Sequence, residues 1–137
     1  MTLFVDTSIF YAVADCDDRG NARAKAVIDV ADRALTTDHI LVETWLLMQR
    51  RLGRSAADRF WSGVRAGAIE VESVTPVDLE MAWSIGESFP DQGFSIVDRT
   101  SFAVMQRRGV LRVASFDSDF AIYRFGPRRE RAFEVIG

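Results

Sequence analysis

Cysteine, histidine and lysine are nearly missing from this chain, with one of each among 137 residues. A lone Cys16 excludes an internal disulfide, and one His beside one Cys cannot build a zinc site of the usual nitrogen and sulfur kind. Any bound metal must therefore be held by oxygen. The early position of the only lysine, Lys25, argues against two α/β classes that place an Asp after the first strand. A phosphoacceptor receiver needs a Lys after its last strand. A haloacid-dehalogenase-type phosphatase needs a later Lys and a second Asp two residues after the first, where Ser8 stands. Long apolar runs are absent too: nothing approaches the ~18 uninterrupted residues of a membrane span. The N-terminus enters a strand rather than a basic and then apolar signal segment, so a cytoplasmic protein is expected. There is no internal repeat or low-complexity stretch.

What is present suits one compact domain over residues 1–137, since 48% hydrophobic content is ample for a single core. The net charge of −3 hides an asymmetry: residues 1–98 carry 9 basic and 16 acidic side chains, residues 99–137 carry 8 and 4. Of the 17 basic residues 16 are Arg. Guanidinium forks suit phosphate oxygens, so a nucleic-acid backbone is one explanation of this bias and Arg-rich coding is another.

Leu3-Phe4-Val5 reads as a strand buried on both faces, running straight into Asp6-Thr7-Ser8 at its carboxyl end, where open α/β sheets place their ligands. Ile9 to Ala14 continues as a short helix. The acids of Asp15-Cys16-Asp17-Asp18 read as solvated loop and cap residues and are left out of the site. An amphipathic helix is predicted from Asn21 to about Arg33, a very short strand at Leu35-Thr36, and a helix capped by Thr37 or Asp38 running to Leu52. Ser55 to Asp58 has capping-box spacing and opens a further helix. Ile69 to Val74 is a strand, and Thr75-Pro76 starts a helix that stops before Pro90. Ser95 opens a helix ending near Arg108, Arg112 to Ser115 is a strand, and Phe133 to Ile136 is the last one. Phe60, Trp61, Trp83 and Phe89 are expected to be core in the main, with some left exposed for a partner.

Alternating strands and helices without hairpins predict an α/β fold, a three-layer α/β/α sandwich around a mostly parallel sheet of four to five short strands. Four acids then draw together. Asp6 and Asp117 follow strands. Glu43 falls on or beside the apolar stripe of Ile40, Thr44, Leu47 and Met48, a costly place for a carboxylate without a partner. Asp98 shares a face with Phe102 and Met105 while also fitting the third position of a helix cap. Four converging carboxylates cannot all ionise without a cation, and Mg²⁺ or Mn²⁺ with its oxygen ligands is the chemistry that fits. Metal-assisted phosphodiester hydrolysis is the implied reaction.

The motifs Val5-Asp6-Thr7-Ser8, Val42-Glu43-Thr44, Phe94 to Ala103 and Ala114-Ser115-Phe116-Asp117-Ser118-Asp119-Phe120 together resemble the PIN-domain ribonucleases, in particular the VapC-type toxins of toxin–antitoxin pairs. The resemblance covers essentially the whole chain. It implies a Mg²⁺- or Mn²⁺-dependent endoribonuclease with Asp6, Glu43 and Asp98 as principal acids, Asp117 as the fourth and Asp119 as a further candidate ligand. Thr7, Ser8 and Ser115 would support them, Ser115 standing where Thr is commoner, while Thr7 and Ser8 equally fit a plain role as caps of the first helix. Arg124, Arg128 and Arg129 would grip RNA, or form a solvated face. The resemblance also implies a VapB-type antitoxin and a homodimer or larger complex with it. A PIN fold used only for RNA binding or assembly is the alternative.

Overall fold

The computed structural model describes residues 2–137. The chain alternates as β1 (Thr2–Val5), α1 (Thr7–Ala14), α2 (Asn21–Asp29), β2 (Arg33–Thr37), α3 (Asp38–Leu52), α4 (Arg54–Arg65), β3 (Glu70–Glu72), α5 (Pro76–Ser88), α6 (Ile96–Arg108), β4 (Arg112–Ala114), α7 (Asp119–Ile122) and β5 (Glu134–Ile136). Its five strands form one parallel sheet in the order β3-β2-β1-β4-β5.

The central strand β1 shows why both faces are covered. Successive side chains of a strand point to opposite faces, and Leu3 and Val5 pack with Ile9, Ala12, Ala24 and Val27 of α1 and α2. Phe4 faces the other way, toward Phe102, Val104 and Met105 of α6 and Phe120 of α7. All three β1 residues are fully buried, which gives the α/β/α sandwich the alternation predicts. Along this chain the strand order reverses direction at β1: β2 and β3 lie to one side and β4 and β5 to the other. A reversal of this kind opens a crevice at the carboxyl ends of the two strands beside it, here β1 and β4.

Two helices begin with complete capping boxes. Thr75 Oγ1 accepts from the Asp78 N–H while Asp78 Oδ2 accepts from the Thr75 N–H, and Ser95 and Asp98 do the same at α6. Gly109 ends α6 in the left-handed conformation (φ 66°), which glycine adopts without steric cost. The edge strand β3 is wrapped in charge: Arg33 and Arg108 bind Glu70, Arg108 and Arg107 bind Glu72, and Arg107 also binds the buried Asp78.

Three expectations need correction. The second helix stops at Asp29 rather than Arg33, because the β1 ladder claims the chain as early as the Thr2–Arg33 pair and lengthens β2. Ser55 does not cap α4. Gly53 serves as C-cap of α3 and N-cap of α4 at once, so Ser55 lies inside the first turn and Asp58 instead accepts from Trp45 Nε1 and Arg54 Nε. The middle aromatics reach the core only in part, Phe60 and Phe89 packing against it from its margin. Trp83 is 64% exposed, since α5 turns Ala82 and Ile85 inward. Phe60, Trp61 and Phe89 are half-buried.

Candidate active site

Asp6 leaves the carboxyl end of β1 and is the N-cap of α1, yet its side chain makes no capping bond. Instead two hydroxyls converge on Oδ2: Ser8 Oγ donates at 2.9 Å and Ser115 Oγ at 2.8 Å. Each hydroxyl also accepts a backbone N–H from the loop after β4, Phe116 to Ser8 at 3.0 Å and Asp117 to Ser115 at 2.9 Å. The two serines thus fasten that loop to Asp6 and fix the carboxylate between them. Desolvation still dominates, and burial pushes the Asp6 carboxyl above its ordinary range against the pull of both serines, with the Asp117 charge adding to the rise.

Glu43 enters from α3. Thr7 Oγ1 donates to Glu43 Oε1 at 2.6 Å and accepts from Thr44 Oγ1 at 3.3 Å, so one threonine on α1 and one on α3 set the carboxylate. Burial raises the Glu43 carboxyl as well, helped by the negative charges of Asp6 and Asp117. These two rises have one physical meaning: the free protein holds more negative charge here than its surroundings stabilise.

Asp98 carries the largest perturbation. Its backbone and Oδ2 complete the α6 capping box, but burial first, then a hydrogen bond shared with Asp119, pushes its carboxyl up to about 7. Asp98, Asp117 and Asp119 each offer an oxygen within 4.8 Å of the others. Asp119 is brought there by a turn in which its N–H donates to Asp117 Oδ1 at 2.9 Å. Three carboxylate oxygens at this spacing suit a small hard cation, which prefers oxygen ligands and lowers the cost of ionising all three.

The acids expected from sequence therefore come together, but with a different centre of gravity. The tightest cluster is Asp98, Asp117 and Asp119, and both Asp117 and Asp119 belong to it. Asp6 and Glu43 stand beside it, coupled through the Asp117 charge. Thr7 and Ser8 do not cap α1; their hydroxyls bind acids of the site. Arg124, Arg128 and Arg129 are exposed, on the segment between α7 and β5. Arg124 Nη1 donates to the carbonyls of Ala121, Ile122 and Tyr123. Arg129 stacks on Phe89, 4.6 Å from its ring centre, and donates to the Ser88 carbonyl.

The PIN domain family profile matches residues 3–126. The 23S rRNA-specific endonuclease VapC20 of Mycobacterium tuberculosis is 35% identical over 124 residues, 90% of this chain and 95% of that protein. The chain is a PIN-domain protein of the VapC type. The crystal structure of M. tuberculosis VapC20, titled a sarcin-ricin loop cleaving toxin, superposes with a TM-score of 0.82 at 34% identity, covering 88% of this chain and 93% of that one. Two more distant structures share the fold. A toxin–antitoxin complex from Klebsiella pneumoniae has a TM-score of 0.64 at 9% identity, over 85% and 88% of the two chains. FitAcB from Neisseria gonorrhoeae has 0.60 at 15%, over 86% and 88%. Thr44, which its spacing sets on the apolar stripe and the Val42-Glu43-Thr44 motif sets beside Glu43, was not expected to support the acids, yet its hydroxyl donates to Thr7. No helix among the described residues is long and apolar enough to cross a membrane.

Proposed function

We propose that this VapC-type protein is a divalent-metal-dependent endoribonuclease, the toxin of a pair with a VapB-type antitoxin, with Mg²⁺ or Mn²⁺ as its cofactor. The observation that carries the reading is the meeting of Asp98, Asp117 and Asp119, with Asp6 and Glu43 beside them, at the crevice between β1 and β4. Asp98, Asp117 and Asp119 are the ligands that fit such an ion, with Asp6 completing the set. A bound divalent cation supplies neutralisation of the phosphoryl oxygens and lowers the pKa of a water molecule toward neutrality. The chain's own residues do the positioning. Ser8 and Ser115 hold Asp6 at a fixed angle to the cluster. Thr7 holds Glu43 where its carboxylate orients the attacking water and takes up its proton. No Lys base is needed, which suits a chain whose single Lys, Lys25, lies on α2.

The name of the M. tuberculosis relative makes large-subunit ribosomal RNA the first substrate to try for this chain. The test is cleavage of 23S rRNA with Mg²⁺ or Mn²⁺ against an EDTA control, alongside Asp6→Ala and Asp117→Ala. Cleavage that needs the metal and is lost in both variants supports the reading. Metal-independent cleavage, or full activity in the variants, overturns the mechanism; RNA binding without cleavage in any divalent metal would point to a binding or assembly module. Association with an antitoxin and homodimerisation are tested separately by light scattering of the chain alone and after co-expression with the gene product encoded beside it.

A further inference from the structure

The carboxylates do not fill the crevice they stand in. Beside them runs a groove of about 630 Å³ lined by Thr7, His39, Val42, Glu43, Leu46, Leu47, Arg50 and Val97. Six of these residues belong to α3 and recur at three- and four-residue steps, so one side of that helix forms the wall. Thr7 and Glu43 belong to both the groove and the acidic site. An RNA strand with a phosphate at the carboxylates therefore lays an adjoining nucleotide along this wall.

The chemistry of the wall selects which part of that nucleotide it meets. Val42 is 50% exposed and Leu46 52%, and together with Leu47 and Val97 they give an apolar surface that a phosphate would avoid. A nucleobase suits it, with apolar faces and a polar edge. The volume falls in the range of about 300 to 1,000 Å³ that seats a small ligand, the size of one nucleotide.

His39 supplies the polar contact. Its Nδ1 lies 3.5 Å from Thr100 Oγ1. The Thr100 hydroxyl hydrogen is committed to the carbonyls of Ile96 and Val97, at 2.9 and 3.0 Å. Thr100 can then only accept from the ring, which places the proton of neutral His39 on Nδ1 and leaves a lone pair on Nε2. No hydrogen bond to Nε2 occurs among the described residues. We propose that this groove is a nucleobase subsite: the base of the nucleotide adjoining the scissile phosphate packs on Val42, Leu46 and Val97, and an N–H on its edge donates to His39 Nε2. The proposal rests on the ribonuclease reading for its substrate.

Fluorescence anisotropy tests it, with a short labelled single-stranded RNA of mixed sequence and a series lacking one base at each position in turn. Each is bound in Ca²⁺ to the wild type, Leu46→Ala, His39→Ala and His39→Gln. In the wild type, loss of the base at one position weakens binding about 10-fold, the scale of one well-packed base. Leu46→Ala and His39→Ala weaken the intact RNA and flatten the series at that position, while His39→Gln, which keeps an acceptor, restores part of the penalty. An unchanged penalty in both alanine variants, or no position with a penalty, overturns the subsite and marks the groove as a surface for a protein partner. If the expected pattern is seen but Mg²⁺ and Mn²⁺ support no cleavage, hydrolysis fails while the subsite stands. Cleavage with an unmoved pattern gives the reverse, and no RNA binding at all overturns both.

Discussion

Replacing Asp98 by Asn should make the metal-free protein more stable while abolishing its proposed activity. Asn keeps the shape of the side chain and an oxygen to accept the Ser95 N–H, so the capping box survives. What it removes is a charge. Burial and the neighbouring acids carry the Asp98 carboxyl from 3.8 to about 7, which at about 1.4 kcal/mol per pH unit is about 4 kcal/mol between the two ionisation states. Water reaches this half-buried group, and screening reduces the net effect to on the order of 1 to 2 kcal/mol. For a domain of this size that is about 3 to 8 °C in Tm. The sign follows from proton binding. Between 3.8 and about 7 the folded state keeps the Asp98 proton while the unfolded state has lost it, so wild-type stability is greatest below 3.8 and falls as pH rises through about 7. The neutral Asn escapes this loss. Thermal unfolding in EDTA should therefore give equal Tm values for the two proteins in acid and an Asp98→Asn advantage that grows to its full size above about pH 7. Adding Mg²⁺ should reverse the order, because only the wild type binds the ion well and binding stabilises by about 2.7 kcal/mol at a hundredfold excess over Kd. An Asn variant less stable than wild type in EDTA at neutral pH, or an advantage independent of pH, would refute the claim that the acids repel one another in the free protein.

Ser115→Ala removes a donor to Asp6 and an acceptor for the Asp117 N–H; we expect a loss of about 2 kcal/mol in urea unfolding and a lower kcat, with Ser115→Thr close to wild type because the hydroxyl remains. Thr7→Val keeps the volume but withdraws the hydrogen bond that favours ionised Glu43, so the acid limb of the rate–pH profile should move to higher pH. Arg107→Ala leaves the buried Asp78 without its guanidinium and should cost about 2 kcal/mol at neutral pH. Burial works against ionisation of Asp78, but Arg107 and the Thr75 hydrogen bonds together outweigh it and hold the carboxyl below its usual range, so this penalty should shrink as pH falls below 3.8, measured by acid-dependent unfolding.

Much of the candidate site was legible from the chain because its acids break local rules. Glu43 interrupts an apolar stripe, Asp98 exceeds what a cap requires, and Asp6 and Asp117 each close a strand. A carboxylate in such a place is costly, and cost is visible in a pattern. The parallel sheet was legible for other reasons, since strands alternate with helices without hairpins and β1 lacks the alternation of a half-exposed strand. The rest depended on distance. Nothing local distinguishes Asp119 from other helix-starting acids; its role arises from the turn that sets it beside Asp98. The hydroxyl pair of Ser8 and Ser115 joins positions 107 residues apart, and the contacts of Arg124 with nearby carbonyls and of Arg129 with the Phe89 ring are ones that sequence spacing does not reveal. Ser55 misled because Gly53 left no room for a separate cap.

The arrangement of β1 between β2 and β4 has a consequence for how the protein is made. Asp6 is synthesised more than a hundred residues before its partner Ser115 and the acids Asp117 and Asp119. At about 5 to 20 residues per second, several seconds separate the two ends of the site. A nascent chain therefore carries no assembled cluster until the loop after β4 has been made. Until that loop has closed onto Asp6, the candidate metal site does not exist, so any activity it supports begins only after the two distant ends of the site have met.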